Sequence, residues 1–160
     1  MAAPDSITLH NLSGTYVMNK TLSNDPDKVL TLQGIGWLVR QAVKYSSVTI
    51  KVKEYEEDRV THIDIDQTTT GGITSHEART LDGNMREVTD RIFGDVRGYS
   101  KFVNITEVQQ PFLKEGWDQK SLGADNGELI GAYIESVGLD GDQWIAHQIW
   151  GFEIVDGARR

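Results

Sequence analysis

The chain reads as an all-β protein, an antiparallel barrel of about nine to ten strands with a helix-turn-helix lid directly after the first strand. Three observations predict this. Apolar and polar residues alternate with period two along most of the chain, as strands buried on one face must. Tight-turn dipeptides punctuate these stretches: Gly71-Gly72, Asp82-Gly83, Gly94-Asp95, Asn126-Gly127 and Asp140-Gly141 all suit backbone that needs positive φ. One interval, residues 25–45, abandons period two for helical spacing.

Taken in order, a first strand is expected over residues 15–20, following Gly14. The lid then opens with Asp25 as N-cap, Pro26 at the first helical position and the carboxylate of Asp27 at the positive end of the helix dipole. Val29, Leu30 and Leu32 give this helix an apolar face, and Gly34 and Gly36 bracket a break. Ile35, Leu38, Val39, Ala42 and Val43 then recur at helical spacing until Ser46-Ser47. Helices this short are marginal alone, so packing over the barrel is expected to hold them. Further strands are expected over residues 48–53, 60–67, 73–80, 86–93, 96–105, 128–137 and 144–155. The stretch 111–117 begins with proline, which cannot donate to a ladder, and reads as an edge or irregular piece. Glu54, Glu56, Glu57 and Asp58 form the densest acidic patch and read as a solvated hairpin turn.

At 160 residues, 38% hydrophobic and 25% charged, the chain is expected to form one domain over 1–160. No apolar run approaches the ~20 residues needed to cross a bilayer, so membrane insertion is not expected. Met1 to Ser6 lack the basic and apolar regions of a secretory signal, which predicts a cytoplasmic protein. The three Asn-x-Ser/Thr sites at Asn11, Asn19 and Asn104 would then go unglycosylated. With no cysteine, disulfides and thiol catalysis are excluded. A net charge of -8 argues against nucleic acid, whose binding depends on Lys and Arg neutralising phosphates.

Leu12-Ser13-Gly14-Thr15-Tyr16, then Asp27 to Leu32, Gly34-Ile35-Gly36, Arg40-Gln41-Ala42 and Val48 to Val52 together resemble the opening of intracellular fatty-acid-binding proteins of the calycin superfamily. More closely, they resemble the small lipocalin-like proteins of filamentous fungi. The resemblance covers roughly residues 11–66 and is loose beyond. It implies a calycin-like β-clam, a cytosolic location and an apolar ligand in a partly wet lumen. Tyr16 stands where that family has a tryptophan plugging the barrel floor, which implies a structural role. Fatty-acid binders carry an Arg-x-Tyr on the last strand that grips the ligand carboxylate. Here Asp156-Gly157 reads as a turn followed only by Ala158-Arg159-Arg160, so the return strand is expected to be missing. Arg159 and Arg160 are therefore not carried over as carboxylate ligands, and an exposed edge strand that a second copy would cover, giving a homodimer, is one consequence.

Candidates for chemistry are few. His62, Asp64 and Asp66 alternate with Ile63 and Ile65, so the polar groups share one face and the isoleucines the other. Periodicity turns the isoleucines inward; the register of the resembled family turns the polar face inward, and the two readings stay open. A lumenal His62 beside Asp64 would be an imidazole with a carboxylate orienter, suited to general acid/base work, with Tyr133 supplying a hydroxyl. His76 adds a further imidazole on the next strand, but strand spacing alone does not make a metal site, and none is expected. His147 is expected to face solvent. Gln148 and Trp150 are then lumen candidates, an amide for a carbonyl and an indole for a flat ligand. Trp37 as a portal residue, Phe102, and Arg91 as a partner for an anionic ligand complete the ligand-binding set. No nucleophile elbow, P-loop or dinucleotide fingerprint occurs, and no cofactor is expected.

A lidded barrel is a container, so the expected function is binding of a hydrophobic small molecule. The alternative implied by the fungal resemblance is a cofactor-independent cyclase or isomerase, pericyclase-like, acting on a polyketide or terpenoid intermediate of secondary metabolism. Such an enzyme works by orientation and needs no catalytic motif.

Overall fold

The computed structural model describes residues 3–124, 127–138 and 143–160. The turn expected at Asp140-Gly141 lies outside the described residues, as does Asn126 of the turn before it. The elements run β1 (Gly14–Val17), α1 (Asp27–Leu32), α2 (Trp37–Tyr45), β2 (Val48–Glu57), β3 (Val60–Thr69), β4 (Thr74–Thr80), β5 (Arg86–Asp90) and β6 (Gly94–Asn104). A 3-10 turn (Pro111–Lys114) and α3 (Gln119–Ala124) precede β7 (Glu128–Ser136), β8 (Ile145–Trp150), β9 (Ile154–Val155) and β10 (Ala158–Arg159). The expected order of one strand, a helical pair and then strands is present. All pairings are antiparallel, but they form three groups rather than one continuous ladder: β1-β2-β3-β4, β5-β6-β7-β8 and the β9-β10 hairpin. Among the described residues, β4 and β5 each present an edge without a strand partner.

Register decides which side chains meet. Val52 lies opposite Ile65, Glu54 opposite Ile63, and Ile63 opposite Arg79, so these share one face of the first sheet. In the second sheet Phe102, Ile130 and Trp150 are aligned, as are Ser100, Ala132 and Gln148. These two faces turn toward each other. Ile63 and Ile130 are 0% exposed, and with Leu9, Leu12, Val52, Ile65, Leu81 and Phe152 they form the core, against which Tyr16, Phe102 and Trp150 pack. Burying each isoleucine contributes about 1.5–3 kcal/mol. The period-two reading of β3, isoleucines inward, is the one the chain adopts.

The lid is built from local signals. Asp25 Oδ1 accepts from the Asp27 N–H at 3.0 Å, but the N-cap is Pro26, which makes no side-chain capping bond, and the first helical residue is Asp27 rather than Pro26. Gly34, at φ 75°, ends α1: its N–H meets Thr31 O and the Ile35 N–H meets Leu30 O, both at 3.0 Å. This is the paired closure that a left-handed residue after a helix permits. Arg40 binds Asp27 and the Ile35 carbonyl, locking the two helices together. Ile35, between them, is buried, yet no residue of either helix is, and Val29, Leu32, Trp37 and Leu38 are exposed. The expected apolar packing over the barrel is thus confined to Ile35 and to half-buried positions such as Leu30, Val39, Ala42 and Val43.

Three expectations are corrected. Residues 144–155 break after Trp150 instead of forming one strand, where the Gly151 backbone passes close to Leu129 and Trp117. Arg86 starts a strand that ends at Asp90, because the Asp90 carboxylate accepts from the N–H groups of Ile92 and Phe93 and turns the chain. Residues 111–117 hold a 3-10 turn, the irregular piece expected there, and α3 follows, started by Asp118, which accepts from the Lys120 and Ser121 N–H groups. Finally, the return strand is present. Asp156 and Gly157, at φ 51° and 73°, turn β9 into a two-residue β10. Arg159 then donates to Ser121 Oγ, Pro4 O and Ile7 O, and its guanidinium lies 3.6 Å from the Phe152 ring centre, tying both termini and α3 to the core.

Candidate functional site

Because β4 and β5 do not pair, the inner faces of the two four-stranded sheets diverge there, and a cavity of 380 Å³ lies between them. That is ample for a small organic molecule. Its wall draws on β4 to β8, and Gln33, just after α1, is the lid's contribution. Val88, Phe93, Ile134, Trp144 and Ala146 make the apolar part, with Phe93 and Trp144 edge to face at 6.1 Å.

The polar part is dominated by Arg79. It sits mid-β4 opposite Ile63, on the inward face, and is only 7% exposed. Its Nε donates to Glu77 Oε1 and its Nη2 to Gln148 Oε1, each at 2.8 Å, and its carbon lies 4.5 Å from the Trp150 ring centre. Nη1 is buried and has no hydrogen-bond partner among the described residues. Leaving such a donor unsatisfied costs about 1–3 kcal/mol, so its retention asks for an explanation. Two further charged groups line the cavity but are already committed. Arg86 forms a bidentate pair with Asp82 at 2.7 Å, and this pairing, with the Asn84 N–H, holds the Asp82 carboxyl below the usual carboxylate range. Asp90 accepts from its own turn.

Of the residues singled out in the sequence, Gln148 lines the cavity and Trp150 lies beneath the Arg79 guanidinium. Phe102 points the same way but lies against the core, tilted on His10 at 4.7 Å. His76 is also among the lining residues, and the others lie elsewhere. His62 and Asp64 share the outer face of β3, where the His62 ring stacks on Tyr55 at 5.2 Å, since the isoleucines between them take the interior. Tyr133 is on the outer face of β7 between Tyr99 and His147; it donates to Glu135, which raises its pKa. Trp37 is 61% exposed on the lid, and Arg91 is exposed in the turn after β5. His76 pairs with Asp66 at 2.8 Å, which raises its pKa. No three His, Cys, Asp or Glu side chains converge among the described residues, and no helix there is long and apolar enough to cross a membrane.

Arg79 and Glu77 escaped notice in the sequence, although a signal existed. Ile73, Ser75, Glu77, Arg79 and Leu81 share one parity, apolar at both ends and charged in the middle. An inward-facing charge flanked by inward apolar residues is the mark of a strand that crosses a cavity rather than a packed core.

No family model matches the chain. It is similar over 99% of its length to two fungal proteins. One is the "probable pericyclase scpY" of Mollisia scopiformis, 28% identical over 163 aligned positions and covered to 82%. The other is the "pericyclase pydY" of an Acremonium species, 27% identical over 164 positions and covered to 84%. Among solved structures, a REP1-NXSQ fatty acid transporter matches 86% of each chain at 16% identity with a TM-score of 0.49. A Schistosoma mansoni fatty acid binding protein in complex with arachidonic acid matches 86% of each at 14% identity and 0.43.

Proposed function

We propose that the cavity binds an apolar small molecule and that the bound molecule undergoes a pericyclic rearrangement catalysed without a cofactor. The observation that carries this reading is the cavity: 380 Å³, walled on one part by aromatic and aliphatic side chains and on the rest by polar groups that include one buried guanidinium. Similarity over nearly the whole chain to two proteins named as pericyclases supports the reaction type.

A pericyclic step moves electrons round a closed ring of the substrate's own atoms. In a cycloaddition of a diene with an alkene, three π bonds become two σ bonds and one π bond, and no proton, hydride or leaving group is exchanged. The protein therefore contributes confinement and fixed charge rather than a nucleophile or base. Phe93 and Trp144 give a flat chain a surface to fold against. His62, Asp64 and Tyr133, on outer faces, are not needed by a reaction that moves no proton. The net charge of -8 supports the exclusion of nucleic acid as partner. A cytoplasmic location and a homodimer through an open strand edge are separate proposals, read by cell fractionation and by size-exclusion chromatography.

The test begins with a producing organism in which the gene for this chain is disrupted. The purified chain, passed through gel filtration in EDTA, should convert the precursor that accumulates into one isomer of unchanged mass, faster than buffer does. Binding of that precursor without conversion would reduce the reading to a carrier, and failure to bind it would sink both.

A further inference from the structure

We infer that Arg79 is the group that contacts the substrate, and that the substrate carries an acceptor oxygen, a carbonyl or its enolate, conjugated to the reacting π system. This rests on the cavity reading above and specifies its chemistry. Two of the three guanidinium nitrogens find acceptors inside the chain, Nε at Glu77 and Nη2 at Gln148, and the Trp150 ring covers one face. The two retaining bonds fix the plane of the fork, so the remaining nitrogen has one orientation. Nη1 is buried with no acceptor among the described residues, on a side chain that belongs to the cavity wall. The acceptor we assign to it is carried by a molecule that fills the cavity. Purely apolar occupants would leave the donor as it is, which disfavours a hydrocarbon ligand.

The chemistry follows. A carbonyl oxygen that accepts from a guanidinium loses electron density, and the loss passes along any conjugated alkene, making it a better electron acceptor for a diene folded onto it. The effect is large in a site from which water is excluded and where the donor is held in place beforehand. Arg79 differs in place from the last-strand arginine of fatty-acid binders. It projects from β4, and of the two arginines near the chain end Arg159 is spent on the termini.

Two fluorescent probes of nearly identical shape test this: 1-anilinonaphthalene-8-sulfonate, which carries acceptor oxygens, and N-phenyl-1-naphthylamine, which lacks them. Ala146→Trp, which fills the cavity from β8, should abolish binding of both. Arg79→Met should lower the affinity of the sulfonate by about tenfold or more, the worth of a hydrogen bond to a charged group, and leave that of the amine unchanged. An unchanged ratio between the probes would overturn the role of Arg79 while leaving the apolar cavity standing. Binding of neither by the wild-type chain would overturn the cavity reading as well. Should Arg79→Met fail to fold, nitrogen-15 spectra of the wild-type guanidinium, assigned with Arg79→Lys, decide the matter: the sulfonate must shift the Arg79 signals and the amine must not.

Discussion

Two arginines, each set over an aromatic ring, serve two regions of this molecule, the joined termini and the cavity. At the termini Arg159 lies over Phe152, and its Nε, Nη1 and Nη2 all donate, to Ser121, Pro4 and Ile7, with the Asp118 carboxylate 3.7 Å away. At the cavity Arg79 lies over Trp150 with the same three nitrogens, but only two of them are used among the described residues. A guanidinium with every nitrogen engaged within the chain holds structure together; one buried with a donor to spare is poised for something outside the chain. The surroundings differ in the same sense. Arg159 is packed against the core that contains Ile63 and Ile130, whereas Arg79 borders a cavity beside two unpaired strand edges and a lid whose helices bury no residue.

Substitutions should separate these regions. The largest effect belongs to the core: Ile130→Ala, at 0% exposure, should cost about 2–5 kcal/mol and lower Tm by roughly 5 to 15 °C in calorimetry. Next comes Arg159→Met, which strands the Pro4 and Ile7 carbonyls and the Asp118 carboxylate; a loss of about 2–3 kcal/mol in urea denaturation is expected. Arg79→Met should cost no more than about 1 kcal/mol, because it also removes a buried charge and a donor that nothing satisfies. Equal losses at Arg159 and Arg79 would erase the contrast between a structural and a functional arginine. Leu38→Ser, on the exposed side of the lid, should stay within about 0.5 kcal/mol.

The sequence makes the order of elements legible because each signal acts locally. Alternation in residues 60–67, the positive-φ residues at the turns, and Asp25 and Gly34 at the ends of α1 all work within a few residues of themselves. Even the two-residue β10 fails to announce itself, since its pairing is a matter of two peptide groups and the anchoring of Arg159 across the chain. The site was less legible. Gln148 and Trp150 emerge from alternation along β8, whereas Arg79 becomes a site residue only when β4 is laid against β8 and Nη2 meets Gln148, 69 positions away. His62 attracts attention as a titratable group, but Ile63 and Ile65 settle its direction by outcompeting it for the interior.

The smallest effect is a pH dependence at Glu54. Glu54 is on the inward face of β2, where burial raises its carboxyl pKa above the ordinary value, against the opposing pull of the Leu12 N–H at 2.6 Å and of the charge on His10. A raised folded pKa means that the native chain holds this proton more tightly than the unfolded one. Its contribution is therefore complete below the unfolded value, near 4.5, and is lost as pH rises through the higher folded value. Asp82, Asp118 and Glu135 have lowered pKa values and act oppositely: each adds stability above its unfolded value that disappears on acidification. The wild-type profile mixes both signs, so only a difference isolates Glu54. Glu54→Gln keeps an oxygen for the Leu12 N–H and removes the titration, so its Tm relative to wild type should improve as pH rises from 4.5 upward and then level off. A difference that stays flat across that range would mean that water reaches the carboxylate and that this face of β2 is less closed than its burial implies.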